Sequence, residues 1–417
     1  MISREQAYFL EILRLSMQGE KFELRIKDAE MLRRILQIAS IQKVLPMICE
    51  TIYLSKDTQK YSGIFSAYKK RAIDEVVSQT VRTTQFLDMY RYLECQGLKP
   101  VIVKGFIMRQ LYPRENLRTS VDEDLLIPSQ DRSAYHKVLQ KYGMQLMEIN
   151  QKAEEEPEIS YINPLSGLYV EVHQYLFPPE SEVYGDWNRF FGDSKPVVMT
   201  YKDQCLLTLN PTDHVFYLIC HSFKHFLHSG FGIRQICDLA LFSNAYSDEI
   251  DWNKVWIQCK EIHADGFVRA MFRISEKYLL PDNRFHRYLK LWNVDTVDEE
   301  PLLLDVLASG AHGAAELTRL HSSNITLNAV ASQKDGEQKN TVVLGSIFLP
   351  VKKMKSRYRY LEKAPFLLPI AWIQRIAHYA RELSQDKQVG TKGNNVVDSI
   401  KLGKQRVELL KQYGVIK

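Results

Sequence analysis

Between Pro100 and Lys202 the chain drops the helical rhythm that surrounds it and sets acids into short apolar runs. Upstream, Leu10, Leu13 and Met17, then Met31, Leu32, Ile35 and Leu36, recur at the i, i+3, i+4 spacing of amphipathic helices. A longer helical pattern over residues 64–95 stops at Gly97, as a glycine just past a helix end does. After Pro100 comes the brief run Val101-Ile102-Val103, broken by Lys104-Gly105 before a helix expected over 106–112. Residues 121–127 read as a strand carrying acids, and 131–142 as a helix ended by Gly143. Residues 158–163 and 168–173 read as two strands joined by a Pro164–Gly167 turn. The pattern predicts an α+β fold with a mixed-sheet core at 98–202. An N-terminal helical region (1–97), a helical region packing on the core (203–300) and a C-terminal helical region (301–417) flank it.

Thr212 or Asp213 is expected to cap a helix running through Cys220 and His225, followed by helices over 233–242 and from Asp251-Trp252. The polar stretch 331–340 predicts a loop. The Phe366, Ile370, Trp372, Ile373, Ile376, Tyr379 face reads as core packing before a membrane surface. No run of about 20 apolar residues occurs, so no transmembrane helix is expected. No signal-peptide pattern opens the chain, and the six cysteines form no CxxC pair, so a cytoplasmic location is expected. Fifty-five Lys and Arg against 50 Asp and Glu leave a net charge of +5, too dilute over 417 residues for a nucleic-acid binder. Neither a G-x-x-x-x-G-K-[ST] loop nor a G-x-G-x-x-G turn is present, which argues against P-loop and dinucleotide folds.

The chemistry concentrates in Asp122-Glu123-Asp124. On a strand Asp122 and Asp124 share one face, about 7 Å apart, while Glu123 points the other way. Two such carboxylates suit Mg²⁺, which binds few protein acids and completes its shell with phosphate oxygens. Glu171, between Val170 and Val172, sets a third acid on another strand, and burying acids is expensive unless they are paired or bound to metal. Gly105 lies at a strand-to-helix junction where a phosphate can approach backbone N–H groups. His173 shares the face of Glu171 and reads first as a histidine hydrogen-bonded to a carboxylate. His221 and His225 are four apart, but the glutamate of H-E-x-x-H is missing. They read instead, with Lys224, as residues beside a cleft. Arg234 and Asp238, also four apart, read as an ion pair or as cleft residues.

Val101-Ile-Val-Lys-Gly105, Leu111-Tyr-Pro113, Arg118-Thr-Ser-Val-Asp-Glu-Asp-Leu-Leu-Ile127 and Val170-Glu-Val-His173 together resemble the uncharacterised bacterial nucleotidyltransferases of the polymerase-beta-like superfamily. His221-Ser-Phe-Lys-His225 and the segment from Arg234 to Asp238 look like the helical stretch that follows the catalytic unit in that family. The resemblance covers about residues 97–242. It implies a nucleotidyltransferase that moves a nucleoside monophosphate from a nucleoside triphosphate, ATP first, to an acceptor hydroxyl on a small molecule or protein. It further implies two Mg²⁺ ions on Asp122, Asp124 and Glu171, with Glu171 as base or ligand. Lys104, Gly105 and Arg118 would neutralise the triphosphate, and His173, His221, His225, Arg234 and Asp238 would line the cleft. The sequence departs from the superfamily twice: Phe106 follows Gly105 where serine or glycine is usual, and Glu123 fills the usually apolar middle of D-x-D. Glu158 competes with Glu171 for the third carboxylate. The departures keep open a protein that retains the fold and binds ligand without catalysis.

Overall fold

The computed structural model describes residues 1–147, 157–310, 317–334, 351–354, 358–362, 364–375, 377 and 396–416. The chain opens with α1 (Arg4–Met17), α2 (Ala29–Ile41) and α3 (Leu45–Ile52), and a one-turn α4 (Lys56–Lys60) precedes the 34-residue α5 (Ser62–Cys95). The first two helix starts are capped by side chains. Ser3 and Gln6 form a reciprocal capping box on α1, and the Asp28 carboxylate accepts from the Met31 N–H on α2. Gly97, at φ +78°, follows the end of α5.

A seven-stranded mixed sheet follows, built from β1 (Val101–Ile102), β2 (Asp122–Leu126), β3 (Gln145–Leu146), β4 (Glu158–Ile162), β5 (Tyr169–His173), β6 (Val197–Tyr201) and β7 (Gln204–Thr208). Its order is β3-β4-β5-β2-β1-β7-β6; β2/β5 and β1/β7 pair in parallel and the other neighbours antiparallel. The short α6 (Phe106–Arg109) joins β1 to β2, and α7 (Arg132–Tyr142) joins β2 to β3. In β5 the alternation is complete: Val170 and Val172 are buried on one face, while Tyr169, Glu171 and His173 are partly buried on the other.

Beyond the sheet come α8 (Pro211–Leu227), α9 (Ile233–Ala245), α10 (Trp252–Glu261) and α11 (Asp265–Ile274). The α8 cap is Asn210, not Thr212 or Asp213. Its side chain accepts from the Asp213 N–H, and Pro211 follows at the first helical position, where its missing N–H is no loss. Thr212 instead accepts from the Asp251 N–H, tying α8 to the start of α10.

The β6/β7 hairpin was not foreseen as strands, although Val197, Val198, Thr200 and Tyr201 are residues that favour strands. Lys202, at φ +52°, turns the two strands about, so β7, the parallel neighbour of β1, starts past the expected end of the core. The one-turn α12 (His286–Leu289) and α13 (Glu300–Ser309) come next, and α14 (Leu317–Lys334) continues the C-terminal helical region. Residues 331–334 of the expected polar loop are helical, and 335–340 lie outside the described residues. Buried side chains from Phe9 on α1 to Ile416 form one contiguous core. The Phe366 face packs less than its pattern suggests: Phe366, Ile370 and Ile373 are exposed, whereas Ala371 is buried with Met354 and Leu361, and Ile376 and Tyr379 lie outside the described residues. No helix of the described residues is long and apolar enough to cross a membrane.

Candidate active site

Parallel pairing of β2 with β5 puts Asp122 opposite Tyr169, Asp124 opposite Glu171, and Leu126 opposite His173. Because side chains repeat every two residues, Asp122, Asp124, Glu171 and His173 all face the same side of the sheet. That side lines a cavity of about 500 Å³ together with residues of α8 and α9. All eleven residues singled out from sequence line this cavity: Lys104, Gly105, Arg118, Asp122, Asp124, Glu171, His173, His221, His225, Arg234 and Asp238.

The acids are held by two cations. Lys104 Nζ lies 3.2 Å from Asp124 Oδ2 and 3.5 Å from Asp122 Oδ2. Burial works against its charge, but Asp122 and Asp124 outweigh burial and hold its pKa well above the ordinary lysine value. His173 Nε2 lies 3.1 Å from Asp124 Oδ1 and 3.7 Å from Glu171 Oε2, and its Nδ1 lies 3.4 Å from Glu158 Oε2. Burial again opposes the charge, and hydrogen bonding to Asp124 and Glu171 overcomes it, so the pKa is pushed up to about 9. The hydrogen-bonded carboxylate partner expected for His173 is therefore Asp124.

Donor chemistry tests whether a metal fits. One ligand atom each from Asp124, Glu171 and His173 lies within 4.8 Å of the others, and among the described residues this is the cluster with convergent His, Cys, Asp or Glu donors. An ion bonded at 2.0–2.1 Å places neighbouring ligands ~3 Å apart, close to the 3.1 and 3.7 Å separations found here. Asp124 Oδ2 is buried with the Lys104 ammonium as its ion-pair partner, and Oδ1 is the oxygen turned to the cluster. These residues fit a divalent cation that takes the place of the His173 proton, since only the neutral imidazole can ligate a metal. Glu158, which competed with Glu171 on sequence, stands outside the cluster and touches it through His173.

The two departures from the superfamily pattern explain each other. Glu123 points away from the cavity, as strand alternation requires, into a buried niche where Oε1 meets Arg109 Nη1 at 2.6 Å. Its Oε2 accepts from the Phe106 N–H at 2.8 Å. The helix N-terminus expected to greet a phosphate thus donates to a protein carboxylate, and Glu123 is a structural acid. Gly105 answers to the same contact. It adopts φ +47°, and a Cβ there would overlap Glu123 Oε2.

Asp238 pairs with Arg118, not with Arg234 four residues before it. Arg118 Nε and Nη2 grip the Asp238 oxygens at 3.1 and 2.6 Å, and the Tyr112 hydroxyl donates to Oδ1 at 2.7 Å. Arg118 Nη1 stays buried without a hydrogen-bond partner. Arg234 reaches across to donate to the Thr119 carbonyl at 2.5 Å, and burial with Arg118 nearby lowers its pKa. On α8, Tyr217, His221 and Lys224 turn one face to the carboxylates. Burial, with Lys104 and His225 close by, holds the His221 pKa well below the ordinary histidine value, so this ring is neutral near pH 7. The His221 and His225 rings meet edge to face at 4.6 Å and do not belong to the convergent donor cluster. Tyr217, Tyr169 and Gln235 were missed. Tyr217 carries a legible signal, since it lies four residues before His221 on one helix face.

Carboxylates converging from adjacent strands of a mixed sheet beneath basic side chains are a donor set suited to a divalent cation and to anionic oxygens. A family model described as an uncharacterised nucleotidyltransferase matches residues 28–279. The match spans more than half of the chain, which therefore belongs to this nucleotidyltransferase family and to the transferases. No curated protein and no solved structure matches the chain.

Proposed function

We propose that the protein transfers a nucleoside monophosphate from a nucleoside triphosphate to an acceptor hydroxyl on a small molecule or a protein, using a divalent cation. ATP is the donor to test first and Mg²⁺ the first ion. The observation that carries this reading is the direct pairing of Asp124 with Glu171 across β2 and β5, with His173 beside them, in a cavity of ligand size. Asp124, Glu171 and neutral His173 would hold a divalent cation, which would supply positive charge to the phosphoryl oxygens and lower the pKa of a nearby hydroxyl. Lys104 brings an ammonium to the same oxygens, and Arg118 Nη1 has a donor to give a phosphate while its other nitrogens hold Asp238. Glu171 takes the acceptor proton. The acceptor oxygen bonds to the α-phosphorus, the bond from α-phosphorus to the bridging oxygen breaks, and its electron pair leaves with pyrophosphate. The six cysteines are free thiols, which fits a reducing cytoplasmic setting.

One observation favours a second reading, a protein that binds nucleotide without transfer: the Phe106 N–H that would meet a phosphate is taken by Glu123. Incubation with ATP labelled at the α- or γ-phosphate, with Mg²⁺ or Mn²⁺ and panels of sugars, aminoglycosides and proteins, separates the two. Transfer predicts α-label on an acceptor, release of pyrophosphate and loss of both in Asp124→Asn and Glu171→Gln. Movement of γ-label refutes nucleotidyl transfer, and metal-dependent ATP binding with no label moved on any acceptor supports the second reading.

A further inference from the structure

We propose that Lys104 is a built-in cation of the metal centre: in the nucleotide-free protein its ammonium takes the bridging place between Asp122 and Asp124, so the centre binds one divalent ion instead of two. The inference rests on the metal-dependent reading of the site but not on transfer taking place.

The positions of the groups carry it. Two-metal phosphoryl-transfer sites hold their ions ~3.5–4 Å apart, and the carboxylates of D-x-D are the natural bridge. Here the two oxygens that would form that bridge, Asp122 Oδ2 and Asp124 Oδ2, both face Lys104 Nζ, at 3.5 and 3.2 Å. The other end of the centre uses different atoms. Asp124 Oδ1 is the oxygen next to His173 Nε2, and Glu171 Oε2 lies beyond that nitrogen. Asp124 therefore faces the lysine with one oxygen and the donor cluster with the other. A divalent ion at the bridge would need bonds of 2.0–2.1 Å to the oxygens that face the ammonium, and two cations cannot share that space without strong repulsion.

Lys104 is also not free to leave easily. The Val103 N–H donates to the Asp124 carbonyl at 3.3 Å, fixing β1 against β2 just before the lysine. Just after it, Gly105 and Phe106 are pinned by Glu123. The Lys104 side chain is only 16% exposed. Its charge does part of the work of a second ion, neutralising the D-x-D pair and presenting a cation to an incoming triphosphate.

Counting ions tests this. Mn²⁺ is titrated into nucleotide-free protein and free Mn²⁺ is followed by its electron paramagnetic resonance signal. The proteins are wild type, Lys104→Met, Lys104→Gln as a second variant should the first fold poorly, and Glu171→Gln. The expected result is one Mn²⁺ in the wild type, at least tenfold weaker in Glu171→Gln, and two in the Lys104 variants, where the bridge is vacated. Two ions in the wild type, or a single ion of unchanged affinity in the Lys104 variants, overturns the proposal and leaves the metal-dependent reading standing. No ion in any of the proteins overturns that reading and the proposal with it.

Discussion

Replacing Glu123 by alanine separates the acid that builds the site from the acids that face it. Glu123 and Arg109 are 3% and 2% exposed, and their 2.6 Å contact is shielded from water. Removing one partner of a buried ion pair leaves the other charge uncompensated, at about 3–5 kcal/mol. The Phe106 N–H loses its acceptor in the same substitution, worth about 1–3 kcal/mol if nothing replaces it. The two losses share one side chain and do not simply add, so the expected loss is about 4 kcal/mol. The double variant Arg109→Met/Glu123→Leu removes both charges and should lose less than Glu123→Ala, with the orphaned N–H left at about 1–3 kcal/mol. Urea unfolding of both variants, with Mn²⁺ affinity measured on the folded protein, reads out the two roles. A loss below about 1 kcal/mol in Glu123→Ala, or weakened Mn²⁺ binding with stability intact, would refute the structural assignment and return Glu123 to the metal site.

Gly105→Ala should destabilise by about 1–3 kcal/mol from backbone strain, with the Glu123 overlap added, as read by the unfolding midpoint. Asp238→Ala should lose about 3–5 kcal/mol by stranding the Arg118 guanidinium, whereas Arg234→Gln should lose less, because Arg234 is not the partner of Asp238. His214 is buried, and burial pushes its pKa down to about 4. The unfolded chain binds a proton near pH 6.5 that the folded protein refuses, so stability falls between pH 6.5 and about 4, by about 3 kcal/mol for a shift of this size. Unfolding across that window should be flatter in His214→Gln; an unchanged acid slope would refute the assignment.

The sequence revealed most about the site where two periods coincide. The two-residue alternation in 121–127 and 169–173 separates Asp122, Asp124, Glu171 and His173 from the buried Val170 and Val172, and the strands keep that separation. It also sent Glu123 to the opposite face, but not to Arg109, because that contact joins residues on two elements whose packing no local pattern encodes. The same limit explains Arg118 and Asp238. They are 120 residues apart, while the four-residue spacing of Arg234 and Asp238 offered a nearer partner, overridden because α9 lies beside Arg118 and Thr119, just before β2. The β6/β7 hairpin carried a signal in its β-branched residues, but β6 has no buried residue and no clean alternation, and the alternate burial in β7 falls on Gln204, Leu206 and Thr208, two of them polar. Lys104 was legible as a basic residue before a glycine. Its place between Asp122 and Asp124 depends on the antiparallel pairing of β1 with β2.

Metal-dependent nucleotide binding tests the central claim most directly. Calorimetric titration of ATP into the wild type, Asp124→Asn and Glu171→Gln, with Mg²⁺ or with chelator, compares the site with and without its acids. The account predicts binding that requires the ion and weakens at least a hundredfold in both variants, while their folding remains cooperative. Binding of equal strength in chelator, or in Asp124→Asn, would contradict a nucleotide site built on Asp124 and Glu171.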